Sequence, residues 1–101
     1  MSAQEILLLA TLYVDPSWPI FTNHFPGNPI WPAFKQLEWV RKVFEDHTKF
    51  TIKEFVAVKF LKPIVPEQNL NFEIQQRLEF YEFLISSELG IATKGRLILI
   101  S

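Results

Sequence analysis

The sequence predicts an α+β domain in which one helix packs on an antiparallel sheet. Three observations carry that expectation. One stretch, Ala33 to Asp46, keeps helical spacing and contains neither Gly nor Pro. Everything after it alternates apolar and polar residues with the period of a strand. Everything before it is one apolar run followed by a loop stiffened by five prolines. At 101 residues the chain is expected to form one domain, 1–101, with no repeat and no linker.

The first element, EILLLATLYV from Glu5 to Val14, is rich in strand formers and ends at Asp15-Pro16. It reads as a strand with little exposed face. Prolines 16, 19, 26, 29 and 32 then forbid a long helix or a central strand. Pro32 is well placed to open a helix, since its fixed φ and missing N–H suit the first turn. The helix expected from Ala33 to Asp46 would bury Phe34, Leu37, Val40 or Arg41, and Phe44, with Val43 beside them and Trp39 broadening the face. After it, KEFVAVKFLKPIV alternates through Phe55, Ala57 or Val58, and Phe60. NLNFEIQQ sets Leu70, Phe72 and Ile74 against Asn71, Glu73 and Gln75. YEFLISSEL and TKGRLILI follow, with a turn around Gly90. Period two with one polar side argues an antiparallel sheet with one wet face.

Composition removes several function classes. The net charge is -1, so no global basic field draws nucleic acid or an anionic membrane. There is no Cys, hence no disulfide framework, thiolate nucleophile or cysteine zinc site. The apolar run Ile6–Leu12 is too short to span a bilayer and lacks the flanks of a signal peptide. A cytoplasmic protein is expected. Half the residues are apolar in so short a chain, which points to an oligomer.

Two residues can carry chemistry. His24 sits inside the proline-stiffened loop, and Glu38 sits on the helix. Each has a plain reading. His24 can be a loop histidine bonded to a carbonyl, and Glu38 can be a solvated carboxylate paired with Lys42 one turn on. His47, in the charged helix end EDHTK, reads as solvated surface favoured by the helix dipole. His24, Glu38 and His47 have no compact ligand spacing, so no metal site is expected.

Order and spacing change the weighting. The string His24-Phe25-Pro26-Gly27-x-Pro29-x-x-Pro32, with Glu38 fourteen residues after the His, resembles the signature of the hotdog-fold 3-hydroxyacyl-acyl-carrier-protein dehydratases of the FabZ and FabA type. VKFLKPIVPEQNLNFEI is similar to the family's strand after the helix, and TKGRLIL to its closing strand. QLEW looks like the ApeI-like branch found in aryl polyene clusters. The resemblance implies a hotdog fold, with a curved antiparallel sheet wrapped around one central helix, paired as a homodimer or with another hotdog protein. It implies dehydration of 3-hydroxyacyl thioesters on acyl carrier protein to trans-2-enoyl thioesters, in fatty acid or aryl polyene type biosynthesis, without a cofactor. His24 would be the base and Glu38, from the partner's helix, the acid. The backbone N–H of Ala33 would polarise the thioester carbonyl, and the backbone C=O of Ile30 would orient His24. Phe25, Pro26, Gly27, Pro29 and Pro32 would form the substrate loop. Acyl carrier proteins are acidic, so Lys59, Lys62 and Arg96 are candidates for a local docking patch, and each also reads as part of an ordinary solvated face.

Three positions depart from the pattern. Asn23 and Ala33 stand where the family has Gly on either side of the motif, and Glu67 stands at the Gly of a downstream Pro-Gly turn. The Ala33 methyl falls where the thioester must approach. It favours the alternative of a non-catalytic hotdog subunit that binds acyl chains or scaffolds a catalytic partner. A hotdog thioesterase has no support here, because those enzymes place their acid elsewhere.

Overall fold

The structure is a computed structural model that describes residues 6–22, 27 and 29–100. The elements run β1 (Ile6–Tyr13), α1 (Pro19–Thr22), α2 (Ala33–Thr48), β2 (Ile52–Phe60), β3 (Asn69–Gln76), β4 (Tyr81–Ser87) and β5 (Gly90–Leu99). The strands form one antiparallel sheet in the order β1-β3-β4-β5-β2, with β1 and β2 at its edges. This is the expected α+β arrangement, one main helix laid on the inner face of an open sheet.

Alternation decides which face is inner. Leu70, Phe72 and Ile74 of β3, Phe83 and Ile85 of β4, and Leu97 of β5 are buried, while Asn71, Lys94 and Arg96 between them are exposed. Gly95 is demanded by packing. A Cβ there would lie 2.7 Å from Phe83 Cε2 and 3.0 Å from Val58 Cγ2. β2 carries a bulge. Val56 pairs with Arg96 and Lys59 with Lys94, so three steps on β2 match two on β5, and Ala57 takes a positive φ of 53°. The extra residue is why the sequence pattern hesitates between Ala57 and Val58. Val58, not Ala57, packs against the core.

Helix α2 runs two residues beyond the expected end and closes on Lys49, whose φ is 64° and whose N–H donates to Glu45 O. Its buried residues are Gln36, Val40 and Phe44, spaced four apart, with Leu37, Trp39 and Val43 packed beside them. The expected stripe is corrected at its start: Phe34 is 58% exposed. Aromatic rings join the helix to its surroundings, Trp31 to Trp39 at 5.8 Å, Trp39 to Phe72 at 5.6 Å and Phe44 to Tyr81 at 5.3 Å between centroids. Polar contacts fix the helix against β2: Arg41 Nη1 donates to Ile52 O at 2.9 Å, and Ile52 N–H donates to Glu45 Oε2 at 2.7 Å. β1 corrects a second expectation, because Ile6, Leu7 and Leu8 are each at least half exposed. Among the described residues no helix is long and apolar enough to cross a membrane.

Candidate functional site

The start of α2 is anchored from below and open above. Trp31 is 5% exposed, and its ring lies between Trp18 and Trp39. Its N–H donates to Ile64 O at 2.7 Å, and its carbonyl accepts from Gln36 Nε2 at 3.1 Å. Pro32 is extended, with φ −65° and ψ 152°, and its carbonyl receives the N–H groups of Lys35 and Gln36. The N–H groups of Ala33 and Phe34 have no partner among the described residues. They are the orphan donors that every helix start leaves, and they suit a developing negative oxygen.

Glu38 lies one turn further on, on the face of α2 that the sheet does not cover. Its nearest cation is Lys35 Nζ at 3.4 Å, whereas Lys42 pairs with Asp46 at 3.3 Å. The expected Glu38–Lys42 pair is therefore not formed. Phe34, Leu37 and Phe55 line an open groove of about 520 Å³ together with the charged Glu38, Arg41, Lys42, Glu45 and Asp46. Arg41 is held there by Ile52 O and Glu45, with its guanidinium 5.4 Å from the Phe55 ring. The groove places a carboxylate beside apolar surface, four and five residues along the helix from the Phe34 and Ala33 amides that have no partner among the described residues.

The remaining expected residues divide. His24, Phe25 and Pro26 lie outside the described residues. Gly27 is exposed, with no atom within 4 Å of where a Cβ would stand. Pro29 is half-buried and Ile30 is 43% exposed, leading into the buried Trp31. His47 is exposed in the last turn of α2, its Nδ1 3.0 Å from Val43 O, and lies about 14 Å from Glu38 along the helix axis. The expected basic patch is redistributed. Lys59 and Arg96 join Lys94 around a hollow on the outer face of the sheet, opposite the helix, with Arg96 4.8 Å from the Phe80 ring. Lys62 instead donates to Leu89 O at the β4–β5 turn.

Sequence reasoning passed over Gln36 and Thr93. Both are buried, at 4% and 0% exposure, and Thr93 Oγ1 donates to Gln36 Oε1 at 2.6 Å. The signal was present: reading the helix as 36, 40, 44 rather than 34, 37, 40 puts a polar residue in line with Val40 and Phe44.

The geometry has counterparts in known proteins. A family model for the ApeI-like group, ApeI dehydratase, matches residues 2–96. A curated 3-hydroxyacyl-[acyl-carrier-protein] dehydratase FabZ from Geotalea uraniireducens is 31% identical over 68 residues, covering 56% of this chain and 47% of the relative. The chain thus spans about half the length of that relative. Among solved structures, the dehydratase heterocomplex ApeI:P from Xenorhabdus doucetiae superposes with a TM-score of 0.77 at 25% identity, covering 90% of this chain and 84% of the other. A protein from Erwinia carotovora subsp. atroseptica gives 0.76 at 28% identity, over 89% of this chain and 79% of the other.

Proposed function

The chain belongs to the ApeI-like dehydratase family, and from that premise we propose that it dehydrates 3-hydroxyacyl thioesters carried by an acyl carrier protein. The observation that carries the reading is the placement of Glu38: a carboxylate on the uncovered face of α2, beside apolar Phe34 and Leu37 and near helix-start amides that have no partner among the described residues.

In this proposal the neutral imidazole of His24 removes the α-proton of the thioester. The electron pair forms the α,β double bond and expels the 3-hydroxyl, which Glu38 protonates so that water leaves. The product is a trans-2-enoyl thioester, and His24 returns its proton to the carboxylate. Enolate charge on the thioester oxygen is met by the Ala33 N–H, with the helix dipole behind it. The Ile30 carbonyl holds the imidazole tautomer, and Gly27, Pro29 and Pro32 shape the loop with Phe25 and Pro26. No cofactor enters.

Glu38 faces away from its own sheet, which supports a site completed across a subunit boundary, His24 from one chain and Glu38 from the other. A second copy or another hotdog protein would supply that partner. The ApeI relative is itself a dehydratase heterocomplex, and this supports the second arrangement. Assembly of a fatty acid or aryl polyene type product is the setting proposed.

Ala33 favours a second reading, a subunit that binds acyl thioesters without converting them. One experiment separates the two. The chain, alone and with a hotdog partner, is given a carrier-bound 3-hydroxyacyl substrate, and the 2-enoyl thioester absorbance is followed. Gain of absorbance supports dehydration. Binding without turnover in both formats assigns the non-catalytic role.

A further inference from the structure

Gln36 occupies an unusual place for an amide. It is buried on the inner face of α2, in line with Val40 and Phe44, where apolar packing would serve the core at least as well. Both ends of its side chain are used. Nε2 donates to Trp31 O at 3.1 Å, and Oε1 accepts from Thr93 Oγ1 at 2.6 Å. No buried side-chain polar atom among the described residues lacks a partner, so the network is complete.

The connections run to one place. Thr93 belongs to β5, paired on one side with Ile85 of β4 and on the other with Phe60 of β2. Trp31 is the second residue before Ala33, and its N–H is fixed separately by Ile64 O. The peptide groups on both sides of Trp31 are thus tied to the domain interior, one through Ile64 and one through Gln36 and Thr93. Only the extended Pro32 intervenes before the amides of Ala33 and Phe34, which have no partner among the described residues. An oxyanion donor acts through preorganisation, and small displacements cost rate more than affinity.

We infer that Gln36, braced by Thr93, is a positioning residue that holds the Trp31 carbonyl and so fixes the Ala33 amide where the thioester oxygen must meet it. This rests on the dehydratase reading for its catalytic consequence, but the bracing itself does not.

The test uses the full chain, with its hotdog partner where one is needed for activity. Gln36→Met keeps the volume and removes both hydrogen bonds. Thr93→Val removes only the hydroxyl, and Thr93→Ser restores it. Gln36→Met should lower kcat by about 10- to 100-fold with KM within about threefold of wild type, since the lost contact acts in the transition state. Thr93→Val should lower kcat by a smaller factor in the same way, Thr93→Ser should return most of it, and the Gln36→Met/Thr93→Val double variant should be no slower than Gln36→Met, because the two act in series. The second readout needs no substrate: the ¹⁵N–¹H signals of Trp31, Ala33 and Phe34 should shift or broaden in Gln36→Met and Thr93→Val while those of β3 stay in place. A lower melting temperature with kcat per folded protein unchanged, or helix-start signals that do not move, overturns the inference. If Gln36→Met does not fold, the Thr93→Val and Thr93→Ser pair decides by the same two readouts. Signals that move in the variants, with a wild type that converts no thioester, would instead keep the bracing and refute the dehydratase reading.

Discussion

The two faces of α2 are built on different rules. One presents Gln36, Val40 and Phe44 to the sheet, all buried and all satisfied. The other presents Phe34, Glu38 and Lys42, with Phe34 58% exposed. The first face is finished by the chain itself. The second is an apolar surface with charges of both signs that no other described element covers, and the proposed chemistry lies on it. An isolated exposed Phe is ordinary. Phe34, a half-buried Leu37 and Phe55, set among the charges of Glu38, Arg41 and Lys42, form a surface that gains from a partner.

The largest expected effect strikes the uncovered face. Glu38→Gln and His24→Ala should each reduce turnover by 10³-fold or more, on the order of 4 kcal/mol, while leaving the unfolding midpoint near wild type. Their double variant should be no slower than either, since residues that act as a unit are not additive. Mixing the two single variants tests the subunit boundary. A mixed dimer would contain one site with both lesions and one with neither, so partial activity should return. Mixed dimers that form yet stay inactive would place both residues in one chain.

The next effect strikes the covered face. Phe44 is fully buried and stacks edge-on with Tyr81 at 5.3 Å. Phe44→Ala should cost about 3–5 kcal/mol in urea unfolding. Phe34→Ala, on the other face, should leave unfolding of the isolated chain nearly unchanged and weaken self-association by about 1–2 kcal/mol, read by light scattering across concentration. Equal effects of the two substitutions on both measurements would erase the distinction between the faces.

How much of this was legible follows the same division. The fold was readable because alternation in β3 and the uninterrupted run of α2 are local signals with one physical meaning each. Leu70, Phe72 and Ile74 had to face inward together. Misreadings arose where a residue's neighbours come from elsewhere. Phe34 looks like core by spacing, yet it is exposed on the face of α2 turned away from the sheet. Leu7 and Leu8 look like a buried strand, yet β1 is an edge. Gln36 looks like surface by type, and only Trp31 and Thr93, 57 positions away from it in the second case, make its burial tolerable. The bulge at Ala57 leaves a hesitation in the pattern but no signature residue. For the site, the proline ladder and the fourteen-residue spacing pointed to His24 and Glu38 through family resemblance, whereas no periodicity indicates that Glu38 faces outward beside Phe55.

A moderate effect sharpens the comparison at the start of the uncovered face. Ala33 is exposed in the first turn of α2, and no positive φ there requires Gly. If its methyl crowds the incoming thioester, Ala33→Gly should raise kcat/KM by a few-fold, about 1 kcal/mol, and cost less than about 1 kcal/mol of stability. A slower Ala33→Gly enzyme would mean that the methyl helps to hold the helix-start amide rather than obstructing it.

The smallest effect is a control that touches neither face. Glu67 follows Pro66 in the turn before β3 and holds φ at 73°, where residues other than Gly, Asn and Asp are rarely found. Pro followed by a left-handed residue is the pattern of a type II turn, which favours Gly at that second position. The conformation is kept because Glu67 N–H donates to Val14 O at 2.7 Å and Val14 N–H donates to Gln68 O at 2.9 Å, tying the turn to the end of β1. Left-handed backbone costs a residue with a Cβ about 1–2 kcal/mol, and Gly returns about half of that through its greater freedom when unfolded. Glu67→Gly should therefore stabilise the domain by about 0.5–1 kcal/mol, a rise of about 2–8 °C in melting temperature for a chain of this length. Glu67→Val, branched at Cβ, should lower it by more than that. Neither change should alter kcat or the association constant, since the turn bears on neither Glu38 nor Phe34. A Glu67→Gly protein that gains stability and loses activity would show that the turn and the site are coupled, and that the separation between a finished face and an unfinished one does not hold.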